Sequence, residues 1–134
     1  MTSTHEKVGY SPSSVELFPT PDAASAGVER ALRMLEGRWK LVILFHLFGG
    51  KVLRFSELER AIPGVSQKML IQQLRQLEAD GIVVRTIYPQ VPPKVEYRLT
   101  PWGQSLCPAL DALLLWAVNR PEPSDAGDTG TNPS

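Results

Sequence analysis

The chain has 134 residues, an apolar content of 43% and a formal net charge of zero, which suits one globular domain with tails. No apolar run approaches the roughly 18 residues of a membrane span, and the first residues lack the apolar segment of a secretory signal. The single cysteine excludes an internal disulfide framework. We therefore expect a cytoplasmic protein.

The charges are distributed unevenly along the chain. Residues 28–100 hold twelve Lys/Arg against seven Asp/Glu, whereas the remaining segments hold two against seven. The middle of the chain is thus basic and its ends are acidic. This distribution favours a polyanionic partner for the middle segment.

The composition divides the chain into three parts. Residues 1–25 are rich in Pro and Ser and show little periodicity, which predicts a mostly disordered N-terminal arm. Residues 120–134 are rich in Pro, Gly, Ser and Asp, which predicts a disordered acidic tail. A folded domain is expected over residues 26–119.

The domain is expected to open with two helices. In the first, Val28, Leu32 and Leu35 recur at helical spacing, and Gly37 should close the helix. The second, "WKLVILFHLFGG", is apolar nearly all round and should lie in the middle of the core. The following "KVLRF" is a candidate for a short strand.

A helix-turn-helix is predicted next. Ser56 and Glu59 have capping-box spacing at the start of the first helix of the pair. Residues 63–65 (Pro-Gly-Val) break the chain, and Ser66 should cap a recognition helix over residues 66–80. Leu70, Leu74 and Leu77 of that helix fall on one side.

The residues after Gly81 predict a wing and a last helix. Two β-rich stretches, "IVVRTIY" and "VEYRL", flank the loop "PQVPPK", which indicates a hairpin over residues 82–99. Thr100 and Pro101 have the pattern of an N-cap and N1 position, and Pro108 should kink the last helix. The order of elements predicts a winged helix-turn-helix, mainly α with a small β-hairpin.

The outer face of the recognition helix has the chemistry of a base-reading surface. Lys68 and Arg75 can bridge guanine O6 and N7, and Gln72 can bridge adenine N6 and N7. Ile71 is a weaker candidate, for contact with a thymine methyl. Ser66 and Gln67, at the helix N-terminus, are expected to contact a backbone phosphate. Lys94, at the wing tip, is expected to meet backbone phosphate or the adjacent minor groove.

Other polar and aromatic residues favour structural interpretations. Gln73 is assigned to packing or a backbone contact, Cys107 to a small buried apolar role, and His46 to a satisfied position in its helix. The large aromatic residues are expected in the core rather than around a ligand: Trp39, Phe45, Phe48 and Trp116. Because no catalytic set, phosphate loop or metal-spaced cluster is found, neither an enzyme nor a cofactor or metal is expected.

The chain resembles the HxlR-type family of bacterial winged-helix regulators over about residues 26–118. The stretches that carry the resemblance are "GRWK", "RFSEL", "SQKML", "QQLRQLEADG" and "YPQVPPKVEY". The resemblance implies a homodimeric, sequence-specific DNA-binding transcription regulator, related in fold to MarR-type proteins. It also implies a dimer built from the terminal helices, with interface candidates Val28, Leu32, Leu35, Leu106, Leu110, Leu113 and Ala117.

The chain departs from the family pattern at two places. Many members have Cys-Pro where this chain has Ala26 and Gly27, so cysteine-based sensing at that site is excluded, and Cys107 is not its equivalent. Ile71 stands where the family tends to have Thr, which would alter base preference at one step.

Two further functions are weighed against DNA-binding regulation. One is a small-molecule sensor whose effector binds near the dimer interface, with Trp39 and Trp116 as candidates to line the pocket. The other is a winged helix used only for protein contacts, which would show no salt-dependent binding to any duplex.

Overall fold

A computed structural model describes residues 16–122 of the chain. The parts of the predicted arm and tail in residues 1–15 and 123–134 lie outside these residues. The helices are α1 (Pro21–Leu35), α2 (Lys40–Leu47), α3 (Phe55–Ala61), α4 (Gln67–Ala79), α5 (Pro101–Gln104) and α6 (Leu106–Val118). The strands are β1 (Leu53–Arg54), β2 (Val83–Tyr88) and β3 (Lys94–Leu99). The predicted winged helix-turn-helix is confirmed.

The three strands form one antiparallel sheet in the order β1-β3-β2. Strands β2 and β3 pair from Val83 with Leu99 to Tyr88 with Lys94, so residues 89–93 form the wing loop. The short strand predicted in "KVLRF" is β1, and Leu53 pairs with Tyr97 of β3. This third strand ties the wing to the residues that lead into the helix-turn-helix.

The core lies between α2, α3, α4 and the sheet. The three leucines predicted to face inward on α4 are confirmed there, since Leu70, Leu74 and Leu77 are all at most 1% exposed. The sequence predicted that helix α2 would be buried on all sides, and this prediction is wrong. Leu41 and Phe45, one turn apart, are 42% and 47% exposed, because α2 packs on the core by one side only.

Helix α1 begins earlier than the sequence indicated. The Thr20 Oγ1 accepts a hydrogen bond from the Ala23 N–H at 3.1 Å, and Pro21 occupies the first helical position. The prediction of a disordered arm up to residue 25 is therefore wrong for residues 21–25. The Phe18 ring lies close enough to Gly27 that an added Cβ would sit 3.3 Å from it.

The predicted capping box at Ser56 and Glu59 is wrong. Helix α3 starts at Phe55, directly after β1, so Ser56 lies within its first turn. Glu57 takes the capping role instead, and its Oε1 accepts the Arg54 backbone N–H at 2.7 Å. Only this half of a capping box can form, because a guanidinium has no acceptor to return the bond.

The C-terminal helical region is broken at Ser105, between α5 and α6. Pro108 lies one turn further on, and it removes the N–H that would have bonded to the Gln104 carbonyl. The helix is therefore interrupted, as the prediction of a kink at Pro108 indicated, but the interruption lies at Ser105. Beyond Leu110 the helix leaves the body of the domain, and every residue from 111 to 122 is exposed.

Candidate nucleic-acid interface

The start of α4 is fixed by local chemistry. The Ser66 Oγ accepts the Met69 N–H at 3.0 Å, which confirms the predicted N-cap. Gly64 in the preceding turn has a backbone φ of +88°, which residues other than glycine rarely adopt. The turn and the cap together set the angle at which α4 leaves α3.

The outer face of α4 is open to solvent. Ser66, Gln67, Lys68, Gln72 and Arg75 are exposed and Ile71 is half-buried, as the helical spacing predicted. An open groove runs along this face, lined by Gln67, Lys68, Ile71, Gln72, Arg75 and Gln76. Sequence reasoning did not include Gln76, although its spacing from Gln72 places it on the same side. The groove lining carries two cations, three amides and no acid.

Gln73 lies on the opposite side of α4, as its assignment to packing predicted. It is 9% exposed, and its Nε2 donates to the Met69 sulfur at 3.6 Å. Its Oε1 lies 3.3 Å from the point where a Cβ on Gly37 would stand. Gln73 therefore belongs to the contact between α4 and the α1–α2 turn.

Lys94 is less free than a wing-tip cation was expected to be. Its Nζ lies 3.3 Å from the Glu96 Oε2, and 4.8 Å from the centroid of the Tyr88 ring. The side chain is 28% exposed. Lys94 therefore stands at the first residue of β3 with an acid and an aromatic face already beside it.

A second basic residue of the wing was missed by sequence reasoning. The Arg85 Nε lies 3.4 Å from the Glu78 Oε1, so this pair joins β2 to the end of α4. The alternation of side chains along β2 could have indicated this residue. Arg85 shares a face of the strand with Val83 and Ile87, and it pairs across the sheet with Tyr97. At this position the Arg85 side chain keeps 42% of its surface exposed while it pairs with Glu78.

Helix α4 and the wing border a small, partly open cavity of about 290 Å³. Gln67, Ile71 and Arg75 line both this cavity and the groove on the outer face of α4, and Arg85 lines the cavity from the strand side. Burial raises the pKa of the Tyr97 hydroxyl, which lies at the wall of this cavity. The positive charges of Arg85 and Arg75 lower this pKa, whereas the negative charge of Glu78 raises it. The charges of Arg85, Glu78 and Arg75 therefore all reach this hydroxyl.

The match to known proteins follows the same part of the chain. Residues 34–125 match the family model described as HxlR-like helix-turn-helix. The chain belongs to the HxlR-like helix-turn-helix family. It is a DNA-binding transcriptional regulator, as the resemblance implied.

HxlR-like relatives agree in sequence and in fold. The HTH-type transcriptional regulator YtcD of Bacillus subtilis is 55% identical over 92 residues, which is 69% of this chain and 72% of YtcD. The crystal structure of ytcD superposes with a TM-score of 0.64 at 53% identity, covering 69% of this chain and 93% of that one. A MarR-family regulator from Enterococcus faecalis V583 gives a TM-score of 0.66 at 41% identity, covering 69% and 84%.

The terminal helices of this HxlR-like chain divide their apolar residues between two environments. Two interface candidates lie in the chain's own core, since Leu35 and Leu110 are 9% and 8% exposed, and Leu106 is half-buried. The other candidates are exposed: Val28, Leu32, Leu113 and Ala117. The amphipathic stripes are therefore shared between the core and an outer surface.

The two candidate effector residues occupy different surroundings. Trp39 is half-buried beside the core, with the Arg38 guanidinium 4.6 Å from its ring centroid. Trp116 is 75% exposed, so its prediction as a core residue is wrong. It lines a partly open cavity of about 750 Å³ at the end of α6, formed by exposed residues that do not include Trp39.

The remaining residues with an expected structural role divide in the same way. Phe48 is buried, as predicted, and meets Phe45 edge to face at 5.3 Å. Phe45 is not in the core. Cys107 is half-buried against the core, and His46 is half-buried in α2.

Within residues 16–122, the His, Cys, Asp and Glu side chains form no group of three that could hold a metal ion. Among the helices of the same residues, none has the length and apolar content that crossing a bilayer requires.

Proposed function

We propose that this HxlR-like regulator acts as a homodimer on a pseudo-palindromic operator in the bacterial cytoplasm. The recognition helix, residues 66–80, enters the major groove of double-stranded DNA, and the wing, residues 82–99, lies on the flanking backbone. Two-fold symmetry would place the two recognition helices roughly 34 Å apart, about one turn of the duplex.

The observation that carries this proposal is the composition of the outer face of α4. Its groove offers cations at Lys68 and Arg75 and amides at Gln67, Gln72 and Gln76. The two cations and the Gln72 amide are the groups that form bidentate pairs with guanine and adenine edges. A helix face that served only solubility would carry acids among the cations.

The dimer is supported by the exposed apolar surface of α1 and α6. Val28 and Leu32 are 59% and 52% exposed on α1, and five large apolar residues after Leu110 are at least half exposed: Leu113, Leu114, Leu115, Trp116 and Val118. A helix that is apolar on several sides and leaves its own domain requires another surface to cover it. A second copy provides a matching surface by symmetry.

The test combines the mass of the particle in solution with DNA binding. Leu113→Glu places a charge on the exposed surface of α6 without touching the core, so it should shift the particle from two subunits to one. It should also weaken binding to a duplex selected by the wild-type protein from a randomised pool. Leu41→Glu is the matched control, since Leu41 is 42% exposed on α2.

Two outcomes would contradict the proposal. A wild-type mass equal to one subunit at micromolar concentration would remove the dimer. Absence of salt-dependent binding to any duplex would favour the protein-contact alternative over DNA binding.

A second candidate function is effector sensing at the end of α6. Trp116 lines the cavity there with Ala117, Asn119, Arg120 and Pro121, adjacent to the proposed dimer surface. A ligand that stabilised one spacing of the two recognition helices would change operator affinity by linkage. Thermal shift against a panel of metabolites, with and without the selected duplex, tests this, and a panel without a hit in either condition would count against a sensor.

A further inference from the structure

Each of two basic side chains of the wing is held by an acid of the same chain. Arg85 pairs with Glu78 at 3.4 Å, and Lys94 pairs with Glu96 at 3.3 Å. The four side chains keep between 20% and 42% of their surface exposed, so solvent and other anions reach them. Both pairs are therefore open to exchange.

The first pair stands next to the surface that reads bases. Arg85 lines the cavity between α4 and the wing together with Gln67 and Arg75, which also line the groove on the outer face of α4. A duplex seated on that groove brings its backbone to the root of the wing. Arg85 would then have two anions within reach, the Glu78 carboxylate and a phosphate.

The energies favour exchange over a fixed brace. An exposed ion pair of this kind is screened by salt and contributes little to stability. A guanidinium binds phosphate through charge-assisted hydrogen bonds, and a DNA backbone presents many phosphates with condensed counterions to release. For the Arg85 guanidinium, the Glu78 carboxylate is therefore a weaker partner than a DNA phosphate, but it is the one within reach in the free protein.

We propose that Arg85 is a further DNA-backbone contact and that Glu78 is its internal competitor, which occupies the guanidinium until phosphate replaces it. Glu96 has the same relation to Lys94 at the other end of the wing. The two acids lower affinity for every duplex, because phosphate carries no base sequence. This inference rests on the proposed docking of α4 and the wing on DNA.

The direction in which two substitutions change DNA affinity distinguishes this proposal from a purely structural role of the Arg85–Glu78 pair. Glu78→Gln frees Arg85 and should tighten binding about twofold to fivefold, the range spanned by an exposed ion pair. Arg85→Gln should weaken binding about threefold and lower the salt slope by about one unit. A brace that held the wing in place would make both substitutions weaken binding.

The experiment measures Kd by fluorescence anisotropy at several salt concentrations. The probes are the duplex selected by the wild-type protein from a randomised pool and a scrambled duplex of the same composition. Both probes should respond by similar factors. In the double variant E78Q/R85Q, the gain from Glu78→Gln should vanish, because the cation that it frees is gone.

Two controls complete the design. Glu122→Gln makes the same change in net charge at an exposed position beyond α6, and should leave both affinities within twofold of wild type. The pair Glu96→Gln and Lys94→Gln repeats the test at the other end of the wing, independently of how the Glu78 variant folds.

The outcomes distinguish this inference from the function on which it rests. A wild-type chain that binds neither duplex would overturn the docking itself. Wild-type binding with Glu78→Gln weaker than or equal to wild type would overturn the competitor role of Glu78 alone. A gain that persisted in E78Q/R85Q would show that Glu78 acts on the duplex directly, which also contradicts the proposal.

Discussion

The backbone of Gly103 lies against the carbonyl of Ile82, so closely that a Cβ at Gly103 would overlap the carbonyl oxygen. Thr100 holds the two segments in this arrangement. Its Oγ1 accepts the Gly103 N–H at 3.0 Å and donates to the Gly81 carbonyl at 2.7 Å. The first turn of α5 is thereby fixed to the start of the wing.

Gly103→Ala should therefore destabilise the domain by about 3 kcal/mol, through overpacking against backbone that cannot move aside. Gly49→Ala is the control, because Gly49 has a φ of +84° and nothing within 4 Å of an added Cβ. Backbone strain alone should make that change cost about 1 kcal/mol. Urea unfolding measures both, and equal losses would contradict the close contact.

The serine pair of the helix-turn-helix provides a second test. Ser66→Ala removes the cap of α4 and should lower the free energy of unfolding by about 1 kcal/mol. Ser56→Ala should change it by less than about 0.5 kcal/mol, since Ser56 is exposed within the first turn of α3. Urea unfolding measures both losses. A larger loss for Ser56→Ala than for Ser66→Ala would support the capping box predicted from sequence.

Base reading and backbone binding should differ in how they depend on DNA sequence. Lys68→Ala and Arg75→Ala should each cost about 1–3 kcal/mol on the selected duplex and relax preference at one base pair. Lys94→Ala should weaken all duplexes alike and lower the salt slope by about one unit. Binding of single-base variants of the selected duplex measures these effects. If both kinds of variant bind like wild type, the proposed docking of α4 is wrong.

Stability at high pH should depend on Tyr97. Burial raises the pKa of its hydroxyl above the ordinary value of 10.0, so the folded state keeps the proton where the unfolded state loses it. The stability from this residue is present below pH 10 and is lost as pH rises through the folded pKa. Tyr97→Phe should therefore reduce the loss of stability between about pH 8 and pH 11 in urea unfolding. Equal losses in both proteins would contradict the raised pKa.

Much of the proposed interface was predictable because α4 is specified locally. The Ser66 cap and the leucine spacing act within a few residues, and the helix found at Gln67–Ala79 lies within the predicted 66–80. The wing was predictable for the same reason, since strand alternation on both sides of a proline-rich loop needs no distant partner.

The errors lie where distant contacts decide between local alternatives. Ser56 and Glu59 have the same spacing as Arg54 and Glu57, and what selects the second pair is the pairing of Arg54 with Glu96 in the sheet, which ends β1 at that residue. Similarly, the stripe on α6 predicts an apolar face. It does not predict that only its first turns, at Leu106 and Leu110, reach the chain's own core.

Strand β2 has one hydrogen-bonded neighbour in the sheet of the described residues, so its other edge carries unpaired backbone groups. Its sequence, VVRTIY, is β-branched and aromatic apart from Arg85, a composition prone to edge-to-edge aggregation between molecules. We expect the Arg85 charge to oppose such pairing, as gatekeeper residues do. This one cation would thus serve the wing twice, and R85Q must be compared with wild type at a concentration where their particle masses agree.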